Sequence, residues 1–460
     1  MAKTVPSADE TLKRVKQSAA GKVKVAIVDI DGVLRGKYIH KDKFMSAADK
    51  VTGGFGFCNV VLGWDVGDVC YDNSRYTGWH SGYPDASAQI DLSTFREVPW
   101  DGNVPFFLAD FRAATGKPLS ICPRQLLKRV VRQLEEGGFS ALASLEYEWF
   151  NFRETPQSLE EKQYRNPQPL SPGMFGYSVV RMAQSREFLN ALFDEMAAFR
   201  VPIEGLHTET GPGVFEAAIL YSDPVEGADR ATLFKTGTKE IAHRFGIVPS
   251  FMAKWNAELP GCSGHIHQSL WDAEQKKNLF FDDSRPNKMS ELFEHYIAGQ
   301  LLALPELLPM YAPTINSYKR LVEGAWAPTR ANWGIDNRTT ALRAIVGGAK
   351  STRVETRVNG SDSNPFLAMS AALASGLYGI RNQLKLPAGP IVGSGYADTA
   401  APRLPRDLNE ATQRFERSPL AHELFGSEFV DHFAATRNWE WRQFGNAVSD
   451  WELARYFQII

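Results

Sequence analysis

The chain has few cysteines, no long apolar run and almost no net charge, and each shortage excludes a class of protein. Its four cysteines, Cys58, Cys70, Cys122 and Cys262, are far apart among 460 residues, with no C-x-x-C pair. That spacing argues against a disulfide framework or a zinc knuckle and fits a reducing cytoplasm, the expected location. No apolar stretch approaches the roughly 20 residues that span a bilayer. The polar opening MAKTVPSADETLKRVKQSAAGK lacks the apolar core of a signal peptide. With 51 basic and 53 acidic side chains, the net charge of −2 gives no electrostatic case for nucleic acid or an anionic membrane as partner. There is no internal repeat and no low-complexity tract.

The remaining composition, 43% hydrophobic and 23% charged, is that of a soluble globular protein long enough for a large catalytic body and a smaller appendage. The first 20 or so residues read as a short amphipathic helix or frayed arm. Up to about Phe107, the β-rich runs VKVAIVDI, NVVLGWDV, REVPW and VPFFLADF alternate with Gly- and Asp-containing turns, which predicts a small sheet domain. A boundary is expected near ATGKPLSICPRQ, dividing the chain into residues 1–115 and 116–460. Beyond it, Ser120 is a candidate N-cap for the helix PRQLLKRVVRQLEEGG, which Gly137 and Gly138 end. Longer helical patterns follow at SREFLNALFDEMAAF and KMSELFEHYIAGQLLALPELLPM, and the segment from LPRDLNEATQRF onward is helical and aromatic-rich.

Five stretches carry chemistry. In SLEYEWF, the period of a strand puts Glu146 and Glu148 on one face and Tyr147 and Trp149 on the other; a solvated edge strand would show the same alternation. In EGLHTETGPGVFEAAI, His207 and Glu209 share a face, and Glu216 stands inside an apolar run where an uncompensated carboxylate is costly. In LPGCSGHIHQSLW, Gly261 and Gly264 allow close backbone approach, and His265 and His267 share a strand face. In AKSTRVETRVNGSDSNPF, Glu355 lies between Arg353 and Arg357, whose guanidinium forks suit phosphate or carboxylate. In NSYKRLVEGAWAPTRANWGIDNRTTALR, Arg320, Arg338 and Arg343 supply the positive charge that a polyphosphate and its metals require. A sixth stretch, DIDGV after a β-rich run, imitates the aspartyl nucleophile of haloacid-dehalogenase-type phosphatases at Asp29 and Asp31. The acidic GDVCYD that would complete it follows too soon to leave room for the other phosphatase motifs.

In this order, the five motifs resemble the glutamine synthetase family over nearly the whole chain. The resemblance implies an α+β fold: an N-terminal β-grasp domain followed by a large catalytic α/β domain with a curved antiparallel sheet. It also places Asp29 in a β-grasp turn. Carried over by motif, Glu148, Glu209 and Glu216 would hold one Mg²⁺ or Mn²⁺, and Glu146, His265 and Glu355 another, with two or three ions per site and ATP as co-substrate. Arg320 would grip the α-carboxylate of L-glutamate, and Arg357 would lie near its reacting end. Gly261 and His265 would line its pocket. His267, Ser269, Arg338, Arg343, Lys350 and Arg353 would bind ATP, with Arg338 and Glu209 also catalytic.

Two departures set the expected substrate. After NSYKRL, Trp326 stands where ammonia-using members carry a glutamate. Near the neighbouring subunit's site, the text VVLGWDVGDVCYD offers Trp64 and, as a candidate base, Asp65. With Phe175 or Tyr177 of the loop PLSPGMFGYS, these form an aromatic amine pocket. The chain thus resembles the branch of γ-glutamyl-anilide and γ-glutamyl-isopropylamide synthetases, which join glutamate to an aromatic or small alkyl amine through γ-glutamyl phosphate. Alternatives are an ammonia-using enzyme with Glu323 replacing the missing carboxylate, a polyamine ligase in which Asp65 and Asp68 meet the distal ammonium, and a catalytically silent relative. Family membership implies a homo-dodecamer of two hexameric rings with shared active sites.

Overall fold

The computed structural model describes residues 7–48 and 54–460; the first six residues of the expected arm lie outside that range. A helix forms at Ala8–Gln17. Five strands follow, β1 (Lys22–Val28), β2 (Leu34–His40), β3 (Phe55–Cys58), β4 (Asp85–Val98) and β5 (Val104–Arg112), in the order β2-β1-β5-β4-β3. β1 is antiparallel to β2 and parallel to β5. It reads as a continuous apolar run because both faces are covered. Val23, Val25 and Ile27 pack with Phe44, Phe107 and Phe111, while Ala26, Val28 and Ile30 join the larger core that includes Tyr147 and Phe234.

The DIDGV turn between β1 and β2 is structural. Asp29 accepts hydrogen bonds from the N–H of Asp31 (3.0 Å) and of Val33 (2.8 Å) and from Arg35 Nε (2.9 Å). Asn364 donates to the carbonyls of Asp29 and Ile30, both at 3.1 Å. Asp31 is paired with the buried Arg437. Gly32 has φ +80°, and a Cβ there would meet Asn364 Cα at 3.0 Å, so the turn requires glycine. Burial and the neighbouring Asp31 push the Asp29 carboxyl up to about 7, and neither aspartate is free to act as a nucleophile.

Three local expectations are corrected. NVVLGWDV is no strand: Asn59–Leu62 makes a single 3₁₀ turn. Asp65 Oδ1 then accepts from the N–H groups of Gly67 and Val69, which turns the chain. Of REVPW, Arg96–Val98 end the long strand β4, which is irregular between Asp91 and Arg96, while Pro99 and Trp100 enter a 3₁₀ turn. Cys122, not Ser120, caps Pro123–Glu136, because Pro123 already fixes the first helical position; Ser120 donates instead to Glu428.

Arg124 ties the first sheet to a helix far along the chain. It reaches Asp91 of β4 at 2.9 Å, Asp110 of β5 at 3.0 Å and Asp229 of the helix Pro224–His243 at 2.8 Å. Burial opposes ionisation at all three carboxyls. The charges of Arg124 and Lys128 nevertheless hold Asp91 and Asp110 below the usual range, whereas Asp229 stays above it. Arg124→Met leaves buried carboxylates uncompensated and is expected to cost about 3–5 kcal/mol in denaturant unfolding. The stabilisation from the two depressed aspartates is present above the unfolded pKa near 4 and is lost as pH falls below it.

The second sheet is built from β6 (Phe139–Phe152), β7 (Ile203–Thr208), β8 (Val214–Ile219), β9 (Val248–Ser250), β10 (Gly264–Asp272), β11 (Trp333–Ile335), β12 (Leu342–Ile345) and β13 (Arg353–Thr356). The order is β11-β12-β13-β10-β6-β8-β7, with β9 beside the end of β6. β11 and β12 run parallel, so the sheet is mixed at its edge rather than wholly antiparallel. SLEYEWF is therefore a central strand with partners on both sides. Tyr147 and Trp149 are fully buried and pack on Phe234 and Phe251 beneath the sheet. The helices Pro123–Glu136 and Pro224–His243 lie against β6; the acidic side chains use the opposite face. No helix among the described residues is long and apolar enough to cross a membrane.

Candidate active site

Strand register brings the five motifs together. Glu146 stands opposite His265, Glu148 opposite Glu216, Glu216 opposite His207, and Glu355 opposite both His267 and Arg343. Cross-strand partners lie about 5 Å apart, so six neighbouring strands deliver carboxylates, imidazoles and a guanidinium to one face. All six predicted metal ligands line the same cavity, of about 590 Å³.

The ligand atoms fall into two groups, His207–Glu209–Glu216 and Glu146–His267–Glu355, each within 4.8 Å. This differs from the motif-based grouping. His207, read from sequence only as a face-mate of Glu209, is 3.3 Å from Glu216 and 3.9 Å from Glu209. Glu148 lines the cavity but accepts the Ser263 N–H at 2.7 Å. His265 still touches the second group, 3.3 Å from Glu146 and 3.1 Å from Glu355.

These residues fit divalent cations. Glu209 Oε2 and His267 Nε2 are buried without a hydrogen-bond partner. Burial, together with the carboxylates of Glu146 and Glu148, pushes Glu216 up to about 8. Such a cluster resists full ionisation until positive charge enters it. Carboxylate oxygens with an imidazole suit a hard ion such as Mg²⁺ or Mn²⁺.

Arginines surround the acidic centre. Arg343 donates to Glu355 at 2.9 Å and to the exposed Asp336, and Arg357 also pairs with Glu355. Burial opposes ionisation of Glu355, but His265 and Arg357 hold its carboxyl down to about 2. Arg353 Nε donates to His267 Nδ1 at 3.2 Å, and Arg338 lines the cavity. Arg320 is buried and donates Nη2 to the carbonyls of Val358 (2.7 Å) and Asn359 (2.9 Å), with no carboxylate partner among the described residues. A Cβ at Gly261 would lie 2.6 Å from Arg320 Cγ, so glycine is required for this arginine to pass.

Two aromatic rings stand at the cavity wall. Trp326 is 64% exposed and Tyr177 70% exposed, and both adopt left-handed backbone, at φ 58° and 55°. Bulky side chains in that region carry strain of the kind kept at functional sites. The Tyr177 ring stacks on His207 at 4.3 Å. Phase differs for its neighbour: Phe175 lies outside the cavity under Arg181, at 4.7 Å. Glu323 also lies elsewhere, 3.8 Å from Arg403 in a separate pocket. Trp64 and Asp65 are not in the cavity of their own chain. Trp64 sits against Arg35, and Asp65 Oδ2 accepts from Trp439 Nε1 at 2.9 Å.

A second cavity of about 590 Å³ adjoins the first through Glu146, His267 and Arg353 and is lined by Ser269 and Lys350. Tyr221, missed in the sequence, also lines it. Nothing in its local sequence pattern sets it apart from a core tyrosine.

A carboxylate–imidazole cluster ringed by arginines and joined to a second cavity is a site suited to divalent ions and a polyphosphate. The family described as "Glutamine synthetase, catalytic domain" matches residues 120–456, and the chain belongs to the glutamine synthetase family, whose members are ATP-dependent ligases forming C–N bonds. It is 53% identical to Type-1 glutamine synthetase 2 of Dictyostelium discoideum, across 100% of this chain and 88% of that one. It is 38% identical to the glutamate–isopropylamine ligase of a Pseudomonas species, across 95% of each. The solved GmaS/ADP complex superposes with a TM-score of 0.83 at 25% identity, covering 97% of this chain and 99% of the other. Family members use glutamate, ATP, divalent ions and ammonia or an amine.

Proposed function

We propose that this enzyme joins the γ-carboxylate of L-glutamate to an aromatic amine such as aniline, or to a small alkyl amine, through γ-glutamyl phosphate. The observation carrying this reading is Trp326, exposed in the cavity that holds the glutamates, while Glu323 lies outside it. An indole offers an apolar face to a hydrocarbon substituent and no base for ammonium.

In this reading Arg320 holds the substrate α-carboxylate, with Gly261 and His265 shaping the pocket and Arg357 at the reacting end. The γ-carboxylate oxygen attacks the terminal phosphorus of ATP, and ADP leaves. The amine lone pair then attacks the acyl carbon, phosphate leaves with the C–O bonding pair, and the nitrogen sheds a proton. Arg338 and Arg353 neutralise charge on the transferring phosphoryl group. His267, Ser269, Arg343 and Lys350 face the nucleotide. Divalent ions held by Glu146, Glu148, Glu209, Glu216, His265 and Glu355 would supply further neutralisation when bound. Asp65, expected as a base from a neighbouring subunit, has its oxygens engaged by Gly67, Val69 and Trp439, so the reading does not depend on it.

A second reading, glutamine synthesis from ammonia, is favoured by the 53% identity to a type-1 glutamine synthetase. Phosphate release with ATP, glutamate and either ammonia, aniline, isopropylamine or putrescine separates the two. A kcat/KM at least tenfold higher for aniline or isopropylamine than for ammonia is expected, about 1.4 kcal/mol of discrimination, and Trp326→Glu should shift the preference toward ammonia. Preference for ammonia by the unaltered enzyme overturns the amine assignment, and no turnover with any amine points to a silent relative.

A further inference from the structure

The helix Pro224–His243 carries a lysine that the chemistry above does not use. Lys235 is partly buried beneath the sheet, 5.6 Å from the ring centre of Tyr147 and 5.8 Å from that of Phe251. Its Nζ donates to the carbonyls of Ser361 (2.8 Å) and Ser363 (3.2 Å), and it makes no carboxylate ion pair among the described residues. Burial and the nearby Lys239 push its ammonium down to about 7, so the charge stands where the surroundings oppose it.

The loop it grips contacts Arg320, the start of β10 and Glu148. Val358 and Asn359 supply the carbonyls that accept from Arg320. The Asn359 carbonyl also accepts the Gly264 N–H at 3.0 Å, at the start of β10. Ser361 Oγ donates to the Glu148 carbonyl at 2.8 Å. Asp362 accepts from Thr314 (2.8 Å) and Ser317 (2.6 Å), at the head of the short helix Ser317–Arg320. The loop therefore holds Arg320 twice, at its guanidinium and through its helix, and Lys235 pins the loop from the opposite side of the sheet.

We propose that Lys235 is a positioning residue for glutamate binding: it fixes the 358–363 loop so that Arg320 is aimed at the substrate carboxylate. This rests on the reading of Arg320 as the carboxylate grip. Lys235→Met keeps a side chain of similar length and removes a charge that its surroundings oppose. It also leaves the Ser361 and Ser363 carbonyls without their donor, so the split between the two KM values is what separates positioning from a purely structural role. In the full-length enzyme, Lys235→Met is expected to raise KM for glutamate about tenfold, the scale of one misplaced charge-assisted hydrogen bond. KM for ATP and kcat should stay within about twofold, with Tm lower by no more than a few degrees. Lys235→Arg should recover most of the loss, and the effect should shrink in an Arg320→Lys background, as for coupled residues. Asp362→Asn, which loosens the same loop from the helix of Arg320, should give the same KM split and serves if Lys235→Met fails to fold. An unchanged KM for glutamate, a parallel rise in KM for ATP with a fallen Tm, or full additivity with Arg320→Lys overturns the inference. Absence of glutamate-dependent ATP cleavage by the unaltered enzyme rejects the ligase reading and this inference with it, whereas an active wild type beside an indifferent Lys235→Met rejects the inference alone.

Discussion

Glu355→Gln is expected to leave a folded protein whose kcat is lower by a thousandfold or more, about 4 kcal/mol of lost transition-state stabilisation. The side chain is 1% exposed and is shared by His265, Arg343 and Arg357. It is also one of the three groups in the Glu146–His267–Glu355 cluster. Glutamine keeps the shape but removes the negative charge and replaces one acceptor oxygen with a donor. The two guanidiniums then face an amide, and a cation loses an ionised ligand. Phosphate release in the presence of ATP, glutamate and amine measures the first consequence, and Mn²⁺ titration of the same protein measures the second. Activity within tenfold of the unaltered enzyme would remove Glu355 from the centre of the mechanism.

Arg320→Met should raise KM for glutamate about a hundredfold while leaving ATP binding intact. Arg320 is buried, donates to backbone carbonyls, and has no carboxylate of its own among the described residues. Its positive charge is therefore available to a ligand. Truncating one partner of a buried charge pair costs about 2–5 kcal/mol, which spans that factor. Arg320→Lys should retain only part of the affinity, because an ammonium cannot reproduce the guanidinium fork. Steady-state kinetics with glutamate and ATP varied separately provide the check, and a rise in both KM values together would indicate a collapsed site instead. The two variants fail differently: Glu355→Gln in turnover and cation affinity, Arg320→Met in recognition of the amino acid.

The chemistry-bearing residues were legible because period-2 alternation needs only the residue types. Glu146 and Glu148 had to share a face once SLEYEWF was a strand, and the same holds for His265 with His267 and for Arg353 with Glu355. Alternation could not reveal whether that strand lay at an edge or in the centre. Its central position follows from pairing with β10 on one side and β8 on the other, strands that come far later in the chain. Nor could it assign His207, which enters the acidic cluster through register with Glu216. Ser120 failed as a cap because Pro123 moved the helix start, and NVVLGWDV failed as a strand because Asp65 captured two backbone N–H groups.

By itself, then, the sequence determined the donor set, the alternation of faces, the long helices and the family, all properties that depend on residue type and short spacing. The tertiary structure alone decided which donors stand together, that Glu323 leaves the cavity while Trp326 stays, and that one lysine under the sheet reaches the loop behind Arg320. Those outcomes depend on strand pairing and on contacts between residues far apart in the chain, which no local pattern encodes.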